Sequence, residues 1–369
     1  MRPTRRGLLQ LGGAAAAGSL FVGGANPVSA HERPAMEWKP AHESNYQAAD
    51  RERDYDIRWY VIHVAQGSYS SVVDWFKNPD ANVSSHYVIR NDETAKTAYM
   101  VDESDVAWHA GGTNYNEHSL GVEHGGFVDE TYWTDAVYEQ SGRIAQWAAE
   151  RFDFPLRVRR YDVAPCNARL GDGGVIGHIQ VPELDCNPNT HTDPGTTWNW
   201  GRFEGYLRRF HLDLGGHCVA NDELPVRAGA GTGNDRVDVA PEGTPGTVTE
   251  GPVDGDGYRW YKVDYDGDIS EGWSTAASLL YSRFAIDHAT ETRTALSVRE
   301  GPSTEYARID TSPSGNTGAT IEGPVFNDGW TWWKVDWDDS TETGWSVDYY
   351  QDPVHEDDGL VPSGPTGRE

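Results

Sequence analysis

The same string of residues occurs twice in the C-terminal part of the chain at one fixed offset, which limits what that part can become. Val226-Arg227 recurs as Val298-Arg299, Glu250-Gly251-Pro252 as Glu322-Gly323-Pro324, Trp260-Tyr261-Lys262-Val263 as Trp332-Trp333-Lys334-Val335, and Gly272-Trp273 as Gly344-Trp345. A constant offset marks a tandem duplication, so both copies must adopt the same small fold. Gly, Asp, Thr and Trp dominate here without a helical period, and each copy is expected to be an all-β unit of short strands. The boundaries are read as 216–283 and 284–351, with an acidic, Pro/Gly-rich tail at 352–369 expected to be disordered.

Upstream, residues 31–215 alternate strand and helix patterns, which predicts an α/β domain with a mixed central sheet and flanking helices. Residues 59–65 read as a buried strand, 70–77 as a short helix, 84–90 and 96–101 as a hairpin, and 119–123 as a further strand. Val137, Ile144, Ala145 and Ala148 recur at helical spacing over 135–152, behind Thr134 as N-cap. Phe203, Tyr206, Leu207 and Phe210 mark a second helix over 201–210, while 31–55 reads as a loosely packed polar lead-in.

The chemistry concentrates in residues 177–200, which hold His178, His191 and Asp193 among Pro, Gly, Asn and Thr, a composition that predicts a loop. These are metal-ligand types. A catalytic Zn²⁺ site takes three protein donors and leaves one position open, and its ligands need not be close in sequence. His63 supplies a further donor: it is the one polar residue inside the apolar run Trp59-Tyr60-Val61-Ile62-His63-Val64, and a buried imidazole needs partners.

These segments come in a telling order. Val61-Ile62-His63, Ser84-Ser85-His86-Tyr87, Trp108-His109-Ala110-Gly111, Ser119-Leu120-Gly121-Val122-Glu123, Gly177-His178 and Thr192-Asp193-Pro194-Gly195 together resemble the zinc N-acetylmuramoyl-L-alanine amidases, which include phage amidases and peptidoglycan recognition proteins. The resemblance runs from about Trp59 to Trp200. It implies Zn²⁺ on His63, His178 and Asp193, Glu123 as the proton-transfer residue, and His109 and Asn116 as contacts to glycan or peptide. His86 is expected to pack under the site. Two positions depart from relatives: Ser85 stands where some phage-type members have a tyrosine, and His191 where they have a lysine. Both assist the carbonyl oxygen there, so His191 is expected to act as oxyanion donor, with a ligand role as its alternative. The last ligand slot, often Cys in the family, is Asp193 here.

Each C-terminal copy likewise resembles a bacterial SH3-like module, a type that tethers such enzymes to the wall. Trp260, Trp273, Trp333 and Trp345 are expected in its core, and Trp330 and Trp332, beside Gly329, on its surface.

Composition sets the remaining limits. With 30 Lys+Arg against 58 Asp+Glu, the net charge of −28 argues against nucleic acid as a partner, because phosphates would be repelled. Lys39, Lys77, Lys96, Lys262 and Lys334 are the lysines, and so acidic and Lys-poor a chain suits high salt, which screens self-repulsion. Residues 1–30 carry Arg5-Arg6, an apolar run and Val28-Ser29-Ala30, resembling a twin-arginine export signal. The mature protein is expected to be secreted, without a membrane span, as a monomer whose partner is peptidoglycan or a related wall polymer. In that setting Cys166 and Cys186 can pair across the loop, adding roughly 3 kcal/mol, which leaves Cys218 over. Three readings stay open: a zinc amidase, a binding-only recognition protein, and a zinc hydrolase of another wall polymer.

Overall fold

The computed structural model describes residues 33–354 apart from 171, 172, 184 and 210, so the N-terminal signal and most of the acidic tail lie outside it. The β-branched and aromatic run makes Trp59–Val64 a strand buried along its whole length. It runs parallel to Ser119–His124 on one side and to Gly174–Gly177 on the other. The full 6-stranded sheet is ordered Glu37–Trp38, Thr97–Tyr99, Tyr87–Ile89, Ser119–His124, Trp59–Val64, Gly174–Gly177. The Tyr87–Ile89 and Thr97–Tyr99 pair is antiparallel, so the sheet is mixed, as expected.

Helix Asp135–Phe152 forms where its periodicity predicts, with the Thr134 hydroxyl accepting from the Val137 N–H. Its buried face includes Val137, Ile144, Ala145 and Ala148. Helix Trp200–Arg208 packs on it so closely that a Cβ at Gly142 would lie 3.0 Å from the Leu207 nitrogen. Gly142 is therefore what lets the two backbones meet.

The C-terminal part forms two 7-stranded sheets with the same strand order, and equivalent strands begin at Leu224 and Leu296, Tyr258 and Trp330, and Gly272 and Gly344. The duplication is thus structural. Trp260, Trp333 and Trp345 are buried, whereas Trp273, expected with them in the core, is only half-buried.

Several expectations are corrected. The lead-in is not loose: Glu37–Trp38 extends the sheet beside Thr97–Tyr99, and Ala41, Asn45 and Arg51 are buried. The reason is a polar anchor, since the Asn45 side-chain amide donates to the carbonyls of Phe76 and Asn78 at 2.8 Å each. The tail does not begin at 352, because Gln351–Pro353 closes the second sheet against Ala289–Thr292. The segment 177–200 is not loop throughout: Gly177 ends a strand and His178–Gln180 forms a turn of 3-10 helix, held by the Ile179 N–H donating to the Asp193 carbonyl at 2.9 Å. Trp332 is buried at 2% exposure, because alternation along Trp330–Trp337 turns it inward, whereas Trp330 stays half-buried.

The repeats also pack on the first domain. Val219 and Leu280, from the first sheet, sit in the same buried cluster as Phe203 and Leu207. The second sheet is fastened by charge: buried Arg160 lies 2.9 Å from Glu204 and 3.3 Å from Asp348. An ion network taken out of water stabilises only when all its members are paired. Both repeats are therefore part of the folded body.

Candidate metal centre and active site

Strand register builds the site. His63 stands directly opposite Glu123 on the neighbouring parallel strand, and side chains paired across a sheet project from the same face. Both lie near the C-terminal ends of their strands, where open α/β sheets place their sites. Gly174–Gly177, on the other side of the His63 strand, delivers His178 at its end. Asp193 is brought back by the irregular segment beyond, which the Cys166–Cys186 disulfide and Asn189 hold in place. The Asn189 amide donates to the His178 carbonyl at 2.8 Å and its oxygen accepts from the His191 N–H at 2.7 Å.

One donor atom each from His63, His178 and Asp193 lies within 4.8 Å of the others, and all three residues are buried. His63 Nδ1 is 3.3 Å from Asp193 Oδ2, and His178 Nδ1 is 3.3 Å from Asp193 Oδ1. Burial pushes the His63 imidazole down to about 4, aided by His178 and opposed by Asp193, so the ring is neutral at physiological pH.

A hydrogen-bond chain behind His63 fixes its tautomer. The Ser119 hydroxyl donates to the Tyr115 carbonyl, so its oxygen must accept from His109 Nε2 at 3.2 Å. His109 Nδ1 is then the acceptor at 3.0 Å from His63 Nε2, which therefore carries the His63 proton. That leaves a bare lone pair on His63 Nδ1 facing a carboxylate oxygen. Two lone pairs at that distance repel unless a cation lies between them, so the arrangement itself fits a metal ion. Two imidazoles, one carboxylate and an open side are the donor set of catalytic zinc, and the outer ring nitrogen held by a partner is the usual support of a ligating histidine.

Glu123 lines a groove of about 400 Å³ with Trp75, Trp108 and His109. Its Oε2 is buried without a hydrogen-bond partner, and burial, with Asp193 second, pushes its pKa up to about 8. A carboxyl titrating near neutrality is suited to accepting and returning a proton. His191 stacks on His178 with ring centroids 3.7 Å apart, and its side chain is half-exposed. Its Nδ1 lies 3.8 Å from Asp193, farther than the other two imidazoles.

The other expected residues divide. His109 lines the groove but spends both ring nitrogens on His63 and Ser119. It fits there because of Gly121, where a Cβ would lie 2.5 Å from the His109 ring. Asn116 does not line the groove; its carboxamide oxygen accepts the backbone N–H groups of His109 and Ala110 at 3.0 and 2.8 Å. It shapes the turn that presents His109. His86 is fully buried, accepting from the Gly121 N–H at 3.0 Å. Sequence reasoning missed Ser119, whose signal was its place on the strand two residues before Gly121.

Residues 53–196 match the N-acetylmuramoyl-L-alanine amidase family, and 222–280 match the bacterial SH3 domain. N-acetylmuramoyl-L-alanine amidase A of Achromobacter lyticus is 32% identical over 176 residues, covering 45% of this chain and 89% of that protein. The 1,6-anhydro-N-acetylmuramyl-L-alanine amidase AmpD of Citrobacter freundii is 29% identical over 131 residues, 34% of this chain and 57% of its own. A crystal structure of a selenomethionine AmpD derivative aligns at TM-score 0.34 and 22% identity, covering 50% of this chain and 98% of that one. Since the Achromobacter match extends over nearly all of that relative, the chain belongs to the N-acetylmuramoyl-L-alanine amidase family.

Proposed function

We propose that the chain is a secreted zinc amidase that hydrolyses the amide between N-acetylmuramic acid and L-alanine in peptidoglycan. One observation carries this reading: His63, His178 and Asp193 converge within 4.8 Å beside Glu123, whose Oε2 has no partner. His63 Nδ1, His178 Nδ1 and an Asp193 oxygen would hold the zinc, which when bound supplies a Lewis acid for the scissile carbonyl and lowers the pKa of water toward ~7. Glu123 takes a proton from the attacking water at its carboxylate and returns it to the departing amide nitrogen. His191 directs a ring N–H at the oxygen that gains charge, in place of a lysine. His109 holds the His63 ring and leaves its Nδ1 lone pair facing the ion. The groove beside Glu123 receives one arm of the substrate and shields the bond from bulk water.

The catalytic unit in this proposal spans 31–215, preceded by an export signal at 1–30 and followed by SH3-like units at 216–283 and 284–351. Arg5-Arg6 with the apolar run behind it supports export, and the net charge of −28 supports work in salt. Among the described residues no helix is long and apolar enough to cross a membrane. The test is mass spectrometry of murein digested by the purified protein in high salt. Free glycan together with free stem peptide carrying L-alanine with a free amine at its N-terminus is the expected result; cut glycosidic bonds or cut peptides instead would overturn the reading.

A further inference from the structure

A second depression borders the cluster and shares no lining residue with the groove at Glu123. It has a volume of about 250 Å³, and Thr192 and Pro194, the neighbours of Asp193, line it together with Trp330, Tyr349 and Tyr350 from the second repeat. Those three rings are each half-buried and pack on one another, with Tyr349 and Tyr350 4.9 Å apart and Trp330 and Tyr349 5.7 Å apart.

The sheet does not require them. The first repeat builds the same strand order with Ala277 and Ser278 at the positions of Tyr349 and Tyr350, and Tyr258 at that of Trp330. Docking explains Tyr349, whose hydroxyl donates to the Arg160 carbonyl at 2.8 Å. It does not explain Tyr350, which packs one side on the second repeat's core, meets Trp330 and Tyr349 with its ring and, among the described residues, makes no such bond, so that the rest of the ring faces the cleft.

The lining also says what it would take. It contains no Lys, Arg or His, and the Oδ1 of its one carboxylate, Asp129, already accepts from the backbone N–H and hydroxyl of Thr196. A stem peptide bearing carboxylates would find no cation there. A pyranose offers apolar C–H faces to aromatic rings and hydroxyls to Thr192 and Thr196, and the cleft is below the roughly 300–1,000 Å³ of sites for drug-sized ligands, which suits a single ring. We propose that this cleft is a subsite for one neutral N-acetylhexosamine ring of the glycan strand, carrying the active site from the Asp193 loop onto the second repeat. The polymer's identity rests on the amidase reading; the class of ligand rests on the lining.

The test is calorimetric titration of the full-length protein with a neutral β-1,4-linked N-acetylglucosamine tetrasaccharide, alongside hydrolysis of a soluble muramoyl peptide. Wild type should bind the sugar, and Tyr350→Ala and Trp330→Ala should each weaken binding about tenfold or more. Trp330→Phe, which keeps a stackable ring, should retain most of it. Tyr306→Ala, removing a ring 50% exposed elsewhere on the same repeat, should change nothing. No binding by wild type, or equal affinity in Tyr350→Ala and Trp330→Ala, overturns the subsite and leaves hydrolysis to stand on its own. Weakened binding without hydrolysis of any muramoyl peptide by wild type supports the subsite and sinks the amidase reading.

Discussion

The two repeats share a strand order yet meet the catalytic unit in different ways. The first is joined by apolar packing, with Val219 and Leu280 inside the main core. The second is joined by polar and aromatic groups: Asp348 to Arg160, the Thr331 hydroxyl to the Asn199 side-chain oxygen at 2.9 Å, and Tyr349 to the Arg160 carbonyl. The copies differ at many positions, these contacts among them: Asp348, Tyr349 and Tyr350 stand against Ala276, Ala277 and Ser278, and Thr331 against Arg259.

This contrast can be broken most severely by removing both repeats. A chain cut after Leu214 should be insoluble or lose cooperative melting, because Phe203 and Leu207 would lose Val219 and Leu280 as partners. A soluble fragment that cleaves small substrates as fast as the full chain would contradict this shared core. Next in size, Arg160→Ala leaves Asp348 as a buried unpaired carboxylate and Glu204 with only Arg208, 3.8 Å away, and should cost about 3–5 kcal/mol in denaturant unfolding. A loss typical of a surface ion pair would mean that the second repeat is not docked as described.

Smaller effects sharpen the catalytic side of the comparison. His109→Phe keeps a ring against Gly121 but removes the acceptor for His63 Nε2, so zinc affinity in chelator competition should fall roughly 10–100-fold. Unchanged affinity would mean that the ring orients itself without help. A separate test is a pH slope in metal-free protein. Glu123 has a folded pKa raised from 4.5 to about 8, so its stabilising contribution is fully present below 4.5 and is lost as pH rises toward 8. The melting temperature of Glu123→Gln minus that of wild type should therefore increase over that interval; a flat difference contradicts the burial of this carboxyl.

Much of the site was legible because its chemistry is carried by local strings in a fixed order. His63, Glu123, His178 and Asp193 each sit at a recognisable strand end or turn, and the structure brings them together. The helix over Asp135–Phe152 was legible from its period and cap. What sequence could not supply were contacts made across the fold. His109 holds His63 from 46 positions away, and Asn116 spends its oxygen on backbone N–H groups, neither of which any spacing encodes. Trp332 was misread because the turn at Gly329 suggested exposure, while its inward side was set by strand alternation beyond the turn. The lead-in was misread because its polar residues, Asn45 above all, are buried by partners far along the chain.

The central claim is that Glu123 moves the proton while His63, His178 and Asp193 hold the metal. It is tested most directly by measuring zinc content and turnover together in Glu123→Gln, since the amide keeps the shape of the carboxyl but cannot accept a proton. About one zinc per chain with turnover on murein reduced by roughly 10²–10⁴-fold is the predicted result. Turnover close to wild type in the zinc-loaded variant, or a chain that takes up no zinc in either form, would contradict it.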